Sequence, residues 1–286
     1  MANSTILTLR KSIEAQLKIN RNHQKRFGFT LTELLLVIGM ILLLIGLVLY
    51  GSQQVRQTAR SLQCLSNERQ IMSGWTSYAT DNAGRYVAPD TSRHAWDWVS
   101  SQYPGPNTQY IAGTGFYAEK ESALTQGRLF SYLGDLELYK SPMDDTPKLR
   151  TYSLSAFLTD GEGADQWGGP PSWRIGTVSR VPKPSETINV VSENDHRGHN
   201  INGWGIIANY ANWIDKLGTF DQGYFNFAFV DGHTERYKYA GTSYSDPDRI
   251  EEAFERPQTD VYYPGPDYDW ISKRLFPGNR ALYGDW

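Results

Sequence analysis

The feature that most constrains this chain is an uninterrupted apolar run close to its N-terminus. The run LLLVIGMILLLIGLVL occupies residues 34–49 and directly follows Glu33. From Phe29 to Tyr50 there are 22 residues. As an α-helix, a segment of that length extends about 33 Å, which is enough to cross a hydrocarbon layer of about 30 Å. The sequence therefore predicts a membrane-spanning helix over residues 29–50.

The charge on either side of this span predicts its orientation. Residues 1–28 carry six basic side chains against the single acid Glu14, a net charge of +5. Basic flanks of membrane helices stay on the cytoplasmic side. We therefore expect a cytoplasmic leader over residues 1–28 and a single-pass topology that places everything after Tyr50 on the far side of the membrane.

An acid at the start of the span needs its own explanation. A carboxylate near the middle of a bilayer costs about 2 to 3 kcal/mol, and less near an end, so an intramembrane acid marks a functional site. Glu33 has no cation within the span. Cleavage between Gly28 and Phe29 would create an α-amine four residues away. The pattern thus suggests a processing site at Gly28-Phe29 and a charge-pairing role for Glu33.

These residues carry a resemblance to a known class of proteins. The segment KRFGFTLTELLLVIGMILLL, residues 25–44, resembles the class III signal of type IV prepilins and type II secretion pseudopilins. The resemblance implies that a prepilin peptidase of the bacterial inner membrane cuts after Gly28 and methylates the amine of Phe29. It also implies that Glu33 pairs with the amine of a neighbouring subunit during filament assembly.

Two other interpretations of the N-terminus remain to be weighed. A secretory signal peptide would be cut after the apolar run, but Leu49-Tyr50-Gly51 lacks the small residues of such a site. An uncleaved signal anchor explains the span and its basic flank equally well. It leaves Glu33 and the Gly28-Phe29 junction unexplained.

The helical pattern continues beyond the span, without proline, through residues 51–83. Apolar side chains recur there at steps of three, four and seven, at Val55, Ala59, Leu62, Leu65, Met72, Trp75 and Ala79, with Cys64, Ile71 and Tyr78 beside them. Charged side chains lie mostly off this stripe, at Arg56, Arg60, Glu68 and Arg69. The periodicity predicts one amphipathic continuation of the first helix, packed on a sheet and ending in a turn at residues 81–84.

The remaining residues, 84–286, are rich in Gly, Pro, Asp and aromatic side chains. Local patterns predict a short helix at 127–135 and strands at 150–158 and 186–194. Two alternating segments flank Asp231-Gly232 between Tyr224 and Tyr239. This pattern predicts a β-hairpin with a type I′ turn and with three phenylalanines, at 225, 227 and 229, on one face.

Several ordered motifs extend the resemblance over most of the chain. They are CLSNERQI at 64–71, YKSPMDDT at 139–146, VPKPSETINVVSEND at 181–195 and NFAFVDGH at 226–233. They look like large prepilin-like proteins with a C-terminal H-x9-DG motif. Asp221 stands where that motif has its His, and Ser141 stands where relatives often carry a Cys that would pair with Cys64. The implied fold class is α+β and pilin-like, with the long first helix on an antiparallel sheet with large loop insertions over residues 84–286.

Candidate chemical sites elsewhere are weak. The lone Cys64 cannot close an internal disulfide, and its helical position favours a small buried side chain over an intermolecular contact or a reactive thiol. The histidines at 196, 199 and 233 sit beside acids in loop-like contexts, where a zinc site is conceivable but close spacing is easily accidental. The acidic segments SYSDPDRIEE and PGPDYDW lack a calcium-ligand pattern, and Ser245-Asp246-Pro247 reads as the start of a helix through Phe254. We therefore expect no metal and no cofactor.

Composition and motifs together define the function classes to consider. Without residues 1–28 the chain carries 22 basic and 30 acidic side chains, which argues against nucleic acid as a partner. No nucleophile elbow, phosphate loop or paired-carboxylate motif is present, so an enzyme is not expected, and a hydrolase built on the His and Asp loops ranks third. The leading hypothesis is a structural filament subunit whose partners are prepilin peptidase, other pilin-like subunits and inner-membrane lipid. Its rival is a glycan-binding minor pilin that uses the loop tryptophans Trp96, Trp98, Trp167, Trp173 and Trp204.

Overall fold

The structure is a computed structural model of the chain. It describes residues 28–91, 97–102, 105–111, 116–159, 173–194, 203–207, 212–213, 215–221, 223–240, 261–262 and 265–276. The backbone divides into two units between Val55 and Arg56. The leader up to Phe27, the histidines at 196 and 199, and the helix expected at 245–254 lie outside the described residues.

The first helix, α1, runs from Leu31 to Asp81 without a break. This agrees with the single long helix that the sequence predicts from the span through the turn at 81–84. In the first unit, its side chains from Leu31 to Tyr50 are all exposed. The chain therefore has the long apolar N-terminal helix of the expected α+β layout.

In the second unit, α1 buries one face on the domain, but that face differs from the predicted stripe. It is formed by Ser61, Cys64, Asn67, Glu68, Ile71, Met72, Gly74, Trp75, Tyr78 and Ala79. Leu62, which was expected to pack on the domain, is 61% exposed, and Val55 in the first unit is 69% exposed. Glu68, expected on the outer face, is fully buried. Before Ile71 the predicted stripe is therefore wrong at Val55 and Leu62 and right at Cys64, because the buried contacts there are largely polar and hydrophobic periodicity does not detect them.

The main sheet is antiparallel and has four described strands. They are β3 (Tyr152–Leu154), β4 (Ile188–Ser192), β6 (Tyr224–Phe229) and β7 (Thr234–Lys238), and they are hydrogen-bonded side by side in that order. The predicted strands at 150–158 and 186–194 are confirmed in position, although each is shorter. β4 carries an irregularity between Ile188 and Val190 where it pairs with β6.

Two smaller strand pairs and short helices complete the described elements. β1 (Thr108–Ile111) pairs with β2 (Phe116–Glu119), and β5 (Asn212–Trp213) pairs with β8 (Val261–Tyr262). The α-helices after α1 are α2 (Glu121–Thr125), α3 (Phe130–Leu133) and α4 (Pro266–Leu275). Short 3₁₀ helices cover Leu136–Tyr139, Val178–Arg180 and Pro184–Glu186. The helix predicted at 127–135 corresponds to the shorter α3.

The main sheet is covered on both faces. One hydrophobic cluster joins α1 to the sheet, with Trp75 of α1 and Val190 of β4 among its members. A second cluster joins the phenylalanines at 225, 227 and 229 to Ile271 and Leu275 of α4. The predicted common face of the three phenylalanines is therefore confirmed. The antiparallel sheet and its helix cover make this unit α+β.

The hairpin between β6 and β7 is confirmed, but its turn is not type I′. The Gly232 N–H donates to the Phe229 carbonyl at 2.9 Å, and the Phe229 N–H donates to the His233 carbonyl at 2.9 Å. Gly232 has a φ of 91°, whereas the φ of Asp231 is not positive. These features define a three-residue loop with a glycine bulge. The Asp-Gly dipeptide suits both turns, so the sequence did not distinguish them.

Candidate functional site

The predicted processing junction lies directly before α1. Gly28 and Phe29 are exposed, and Phe29 keeps 78% of its surface accessible. A Cβ atom added at Gly28 would meet no atom within 4 Å. The backbone here is outside regular secondary structure. The peptide bond after Gly28 is therefore unobstructed by the described part of the chain.

Glu33 is hydrogen-bonded to Thr30, the residue directly before α1. The Thr30 backbone N–H and the Thr30 hydroxyl each donate to Glu33 Oε2 at 2.8 Å. In return, the Glu33 N–H donates to Thr30 Oγ1 at 3.2 Å. This reciprocal arrangement is a capping box, whose signature is Thr or Ser followed three residues later by Glu. The sequence signal for this cap is local: Thr30 is followed three residues later by Glu33.

The capping box changes what Glu33 implies. It gives the acid a role in starting α1 that requires neither cleavage nor a second subunit, so an uncleaved signal anchor no longer leaves Glu33 unexplained. Both bonds from Thr30 end on Oε2 and leave Oε1 open to a further donor. The negative charge itself meets no cation in the capping box. A charge partner for Glu33 therefore remains a separate question from the cap.

The apolar part of α1 meets the physical requirements of a membrane span. Among the described residues, α1 is the one helix that is long and apolar enough to cross a bilayer, judged by length and composition, and its most apolar window is 0% buried. A buried core helix would have its apolar side chains covered by protein. The exposed apolar side chains are therefore compatible with a membrane anchor, by length and composition.

In the second unit, Asp221 connects α1 to the hairpin. Its side chain is 3% exposed and accepts two bonds of 2.6 Å from Arg236 of β7, through Nε and Nη2. The Ser61 hydroxyl of α1 donates to Asp221 Oδ2 at 2.6 Å. The Arg236 guanidinium carbon lies 3.7 Å from the centre of the Tyr224 ring. The residue that stands in the place of the expected His is therefore a buried structural acid with charged and neutral donors.

A second contact on the same face of α1 joins Cys64 to Ser141. The two side-chain heteroatoms, Sγ and Oγ, lie 2.9 Å apart and both are buried. Burial raises the pKa of the Cys64 thiol, and the Ser141 hydrogen bond opposes that rise. A raised pKa keeps the thiol protonated and unreactive. The prediction of a small buried side chain at Cys64 is confirmed.

A buried ion pair lies elsewhere in this unit. Arg150 donates from Nε and Nη2 to the two carboxylate oxygens of Glu119, each at 2.9 Å, and both side chains are nearly inaccessible. The Ser101 hydroxyl donates to Glu119 at 2.6 Å. Arg150 also donates to the Tyr152 carbonyl at 3.0 Å. With its hydrogen bonds directed to these buried groups, the pair has the partners of a structural ion pair.

Of the three histidines considered as metal ligands, the structure describes His233. His233 lies at the hairpin turn, where its Nδ1 is 2.5 Å from Asp231 Oδ1 and its ring stacks on Phe229 at 4.2 Å. Over the residues that the structure describes, no group of three or more His, Cys, Asp or Glu side chains is placed to hold a metal ion. No shared site of the three histidines can be described.

The described members of the proposed glycan-stacking set are not exposed platforms. Trp98 and Trp204 are fully buried, so the prediction that they stack on a glycan is wrong. Trp96 and Trp167 lie outside the described residues. Trp173 packs at 5.4 Å from the Phe276 ring. Another half-buried tryptophan, Trp270, has Tyr237 stacked at 4.2 Å and the Arg274 guanidinium carbon 4.0 Å from its ring centre. Two contacts this close to one centre must occupy opposite faces, so neither face of Trp270 is open to a sugar.

Comparison with protein-family models, with curated proteins and with solved structures finds no match to this chain. Its fold and candidate site are therefore interpreted from its own residues and from the motif resemblance given above.

Proposed function

We propose that this chain is a pilin-like structural subunit, a membrane-anchored pseudopilin that prepilin peptidase cuts after Gly28. The observation that carries the proposal is the arrangement at the start of α1. The accessible Gly28-Phe29 junction precedes Glu33, which forms a capping box with Thr30, and an exposed apolar helix follows. The span anchors the subunit in the inner membrane, and the α+β unit lies on the far side.

Glu33 then supplies the assembly contact. The open Oε1 atom accepts the cleaved Phe29 amine of a neighbouring subunit, while Oε2 stays in the capping box with Thr30. Two opposite unit charges about 4 Å apart attract by roughly 4 kcal/mol at an effective dielectric constant of about 20, and desolvation offsets part of this. An uncharged side chain at position 33 loses the charge attraction.

Two contacts in the second unit support the extended resemblance. Ser141, at the position where relatives often carry a Cys, lies against Cys64. Asp221, at the position of the motif His, lies against both α1 and the hairpin. A residue at either position thus contacts the first helix, which gives a physical reason for a recurrent motif there.

The assembly role is separable from the capping role by substitution. Glu33→Gln keeps an oxygen that accepts from Thr30, since Gln also closes a capping box, but it removes the charge. Glu33→Val removes both. If the charge pairs with a neighbour, both variants are cut after Gly28 and neither crosslinks between subunits. If the cap is the whole role of Glu33, Glu33→Gln crosslinks as the wild type does, and the pairing proposal fails.

A further inference from the structure

A buried acid on α1 lacks the partners that an ionised carboxylate needs. Glu68 is 0% exposed, and its Oε1 accepts one hydrogen bond, from the Ser192 hydroxyl of β4 at 3.2 Å. Its Oε2 atom has no hydrogen-bond partner among the described residues. A buried carboxylate is stable in the charged form when a cation or several donors surround it. One neutral hydroxyl at 3.2 Å does not meet that requirement.

The titratable groups around Glu68 do not supply the missing charge. They are Cys64 on the same helix, Tyr152 of β3 and Asp221, which precedes β6. Asp221 itself is paired, because Arg236 of β7 donates to both of its carboxylate oxygens. Burial raises the pKa of Glu68 well above its ordinary value, the Ser192 hydrogen bond opposes this, and the negative charge of Asp221 adds to it. The burial, the single neutral donor and the raised pKa all favour the protonated form of Glu68 in the folded protein.

Glu68 belongs to a stretch of α1 that polar contacts attach to the domain. We call Ser61, Cys64, Asn67 and Glu68 the polar seam. The first two contact Asp221 at 2.6 Å and Ser141 at 2.9 Å, and Asn67 donates to the Lys140 carbonyl at 3.3 Å. From Ile71 onward, the buried side chains of α1 belong to the hydrophobic cluster on the sheet. The two stretches of the helix are thus held by different forces.

We propose that the protonation state of Glu68 controls the attachment of this stretch: while Glu68 is protonated, the polar seam stays on the domain, and loss of the proton releases residues 61–68 while residues 71–79 stay packed. The inference rests on the geometry of the second unit and is independent of the assembly proposal.

The sign of the pH dependence follows from proton linkage. The released seam exposes Glu68 to water, where a glutamate ionises near pH 4.3, so release of the seam also releases one proton. The seam is therefore most stable below about pH 4.3 and weakens as pH rises toward the raised pKa of the buried acid. Over that window, the equilibrium constant for release increases by up to about tenfold per pH unit.

Cys64 is a built-in probe of this release. It is the sole cysteine of the chain, lies within the seam and is 1% exposed. The rate at which a maleimide labels Cys64 should be measured from pH 6 to 9 on the full chain in detergent, for the wild type and for Glu68→Gln. The neutral glutamine removes the linked proton, while the pH dependence of the thiol itself is common to both proteins. The ratio of wild-type to variant rates is expected to rise by up to about tenfold per pH unit. A ratio that stays constant overturns the proposal.

A second measurement separates local release from general unfolding and does not depend on the variant folding. Hydroxyl-radical footprinting of the wild type, which reports the exposure of side chains, should label Cys64 increasingly as pH rises and leave the labelling of Met72 and Trp75 level. Tryptophan fluorescence should stay constant as well, because Trp75 is buried and stacked on Tyr86 at 3.9 Å. An equal rise of the signal with pH in both segments, or in neither, would contradict a local release of the polar seam.

Discussion

The Cys64 thiol and the Ser141 hydroxyl lie 2.9 Å apart, so a helix residue and a loop residue 77 positions later share one buried contact. A disulfide has an S–S distance of about 2.05 Å, so two sulfurs at these positions need to approach by roughly 0.9 Å. We expect the Ser141→Cys variant to oxidise spontaneously outside reducing conditions. A disulfide typically stabilises a protein by about 2 to 4 kcal/mol, and by more when the loop that it closes is long, as it is here.

Thiol titration and a thermal melt with and without reductant check this expectation. The oxidised variant should show no free thiol and a melting temperature that falls on reduction. Ser141→Ala is the matched control, which keeps one free thiol and responds to reductant as the wild type does. Two free thiols in Ser141→Cys under oxidising conditions would mean that the contact is wrongly placed.

The hairpin loop gives a second prediction. A Cβ at Gly232 would meet no atom within 4 Å, so its φ of +91° is the main obstacle to a side chain there. A β-branched residue tolerates positive φ poorly, and the strain is about 1 to 2 kcal/mol. Gly232→Val should therefore lower the melting temperature of the full chain in detergent, and Gly232→Asn should lower it less. Equal melts for both variants and the wild type would argue against the observed loop.

The buried ion pair gives a third prediction. Removing one partner of a buried pair strands the other, so Arg150→Met should destabilise the second unit by about 3 to 5 kcal/mol. The matched comparison is the half-exposed pair of Lys183 and Glu186, 3.6 Å apart, where Lys183→Met should change stability by less than about 1 kcal/mol. Denaturant unfolding of the two variants measures the contrast. Similar losses in both would contradict the burial of Arg150.

The sequence predicted those elements whose signals are local. The first helix has no proline and a strong apolar run, and it was placed within a residue or two of its observed bounds, Leu31–Asp81. The hairpin was likewise legible from alternation around Asp231-Gly232, as was the burial of Cys64.

The failures share one physical cause, which is that burial depends on distant partners. The sequence pattern places Glu68 on the outer face because its side chain is ionisable, yet it lies inside, where the hydroxyl of the distant Ser192 donates to it. Trp98 and Trp204 look like loop tryptophans, but both are core residues. The capping box of Thr30 and Glu33 does not depend on distant partners, because its signature is local to the sequence.

Processing at the N-terminus gives a fourth prediction. A leucine at Gly28 meets no obstruction from the described chain, so Gly28→Leu should fold and insert as the wild type does. Its bulk should instead hinder prepilin peptidase, and the full-length precursor should accumulate in the membrane. The size of the membrane-extracted protein in a host with and without the peptidase measures this effect. Trimming of Gly28→Leu at the wild-type rate would show that the junction lies elsewhere.

The most direct test of the central claim is the N-terminal sequence of the wild-type protein, extracted from membranes of a host with an active prepilin peptidase. A pilin-like subunit is predicted to begin at Phe29 with a methylated amine, and to keep its leader in a host that lacks the peptidase. A protein that still carries residues 1–28 in the presence of the peptidase would contradict the account. Its first helix would then be a signal anchor, with Glu33 serving only as the cap partner of Thr30.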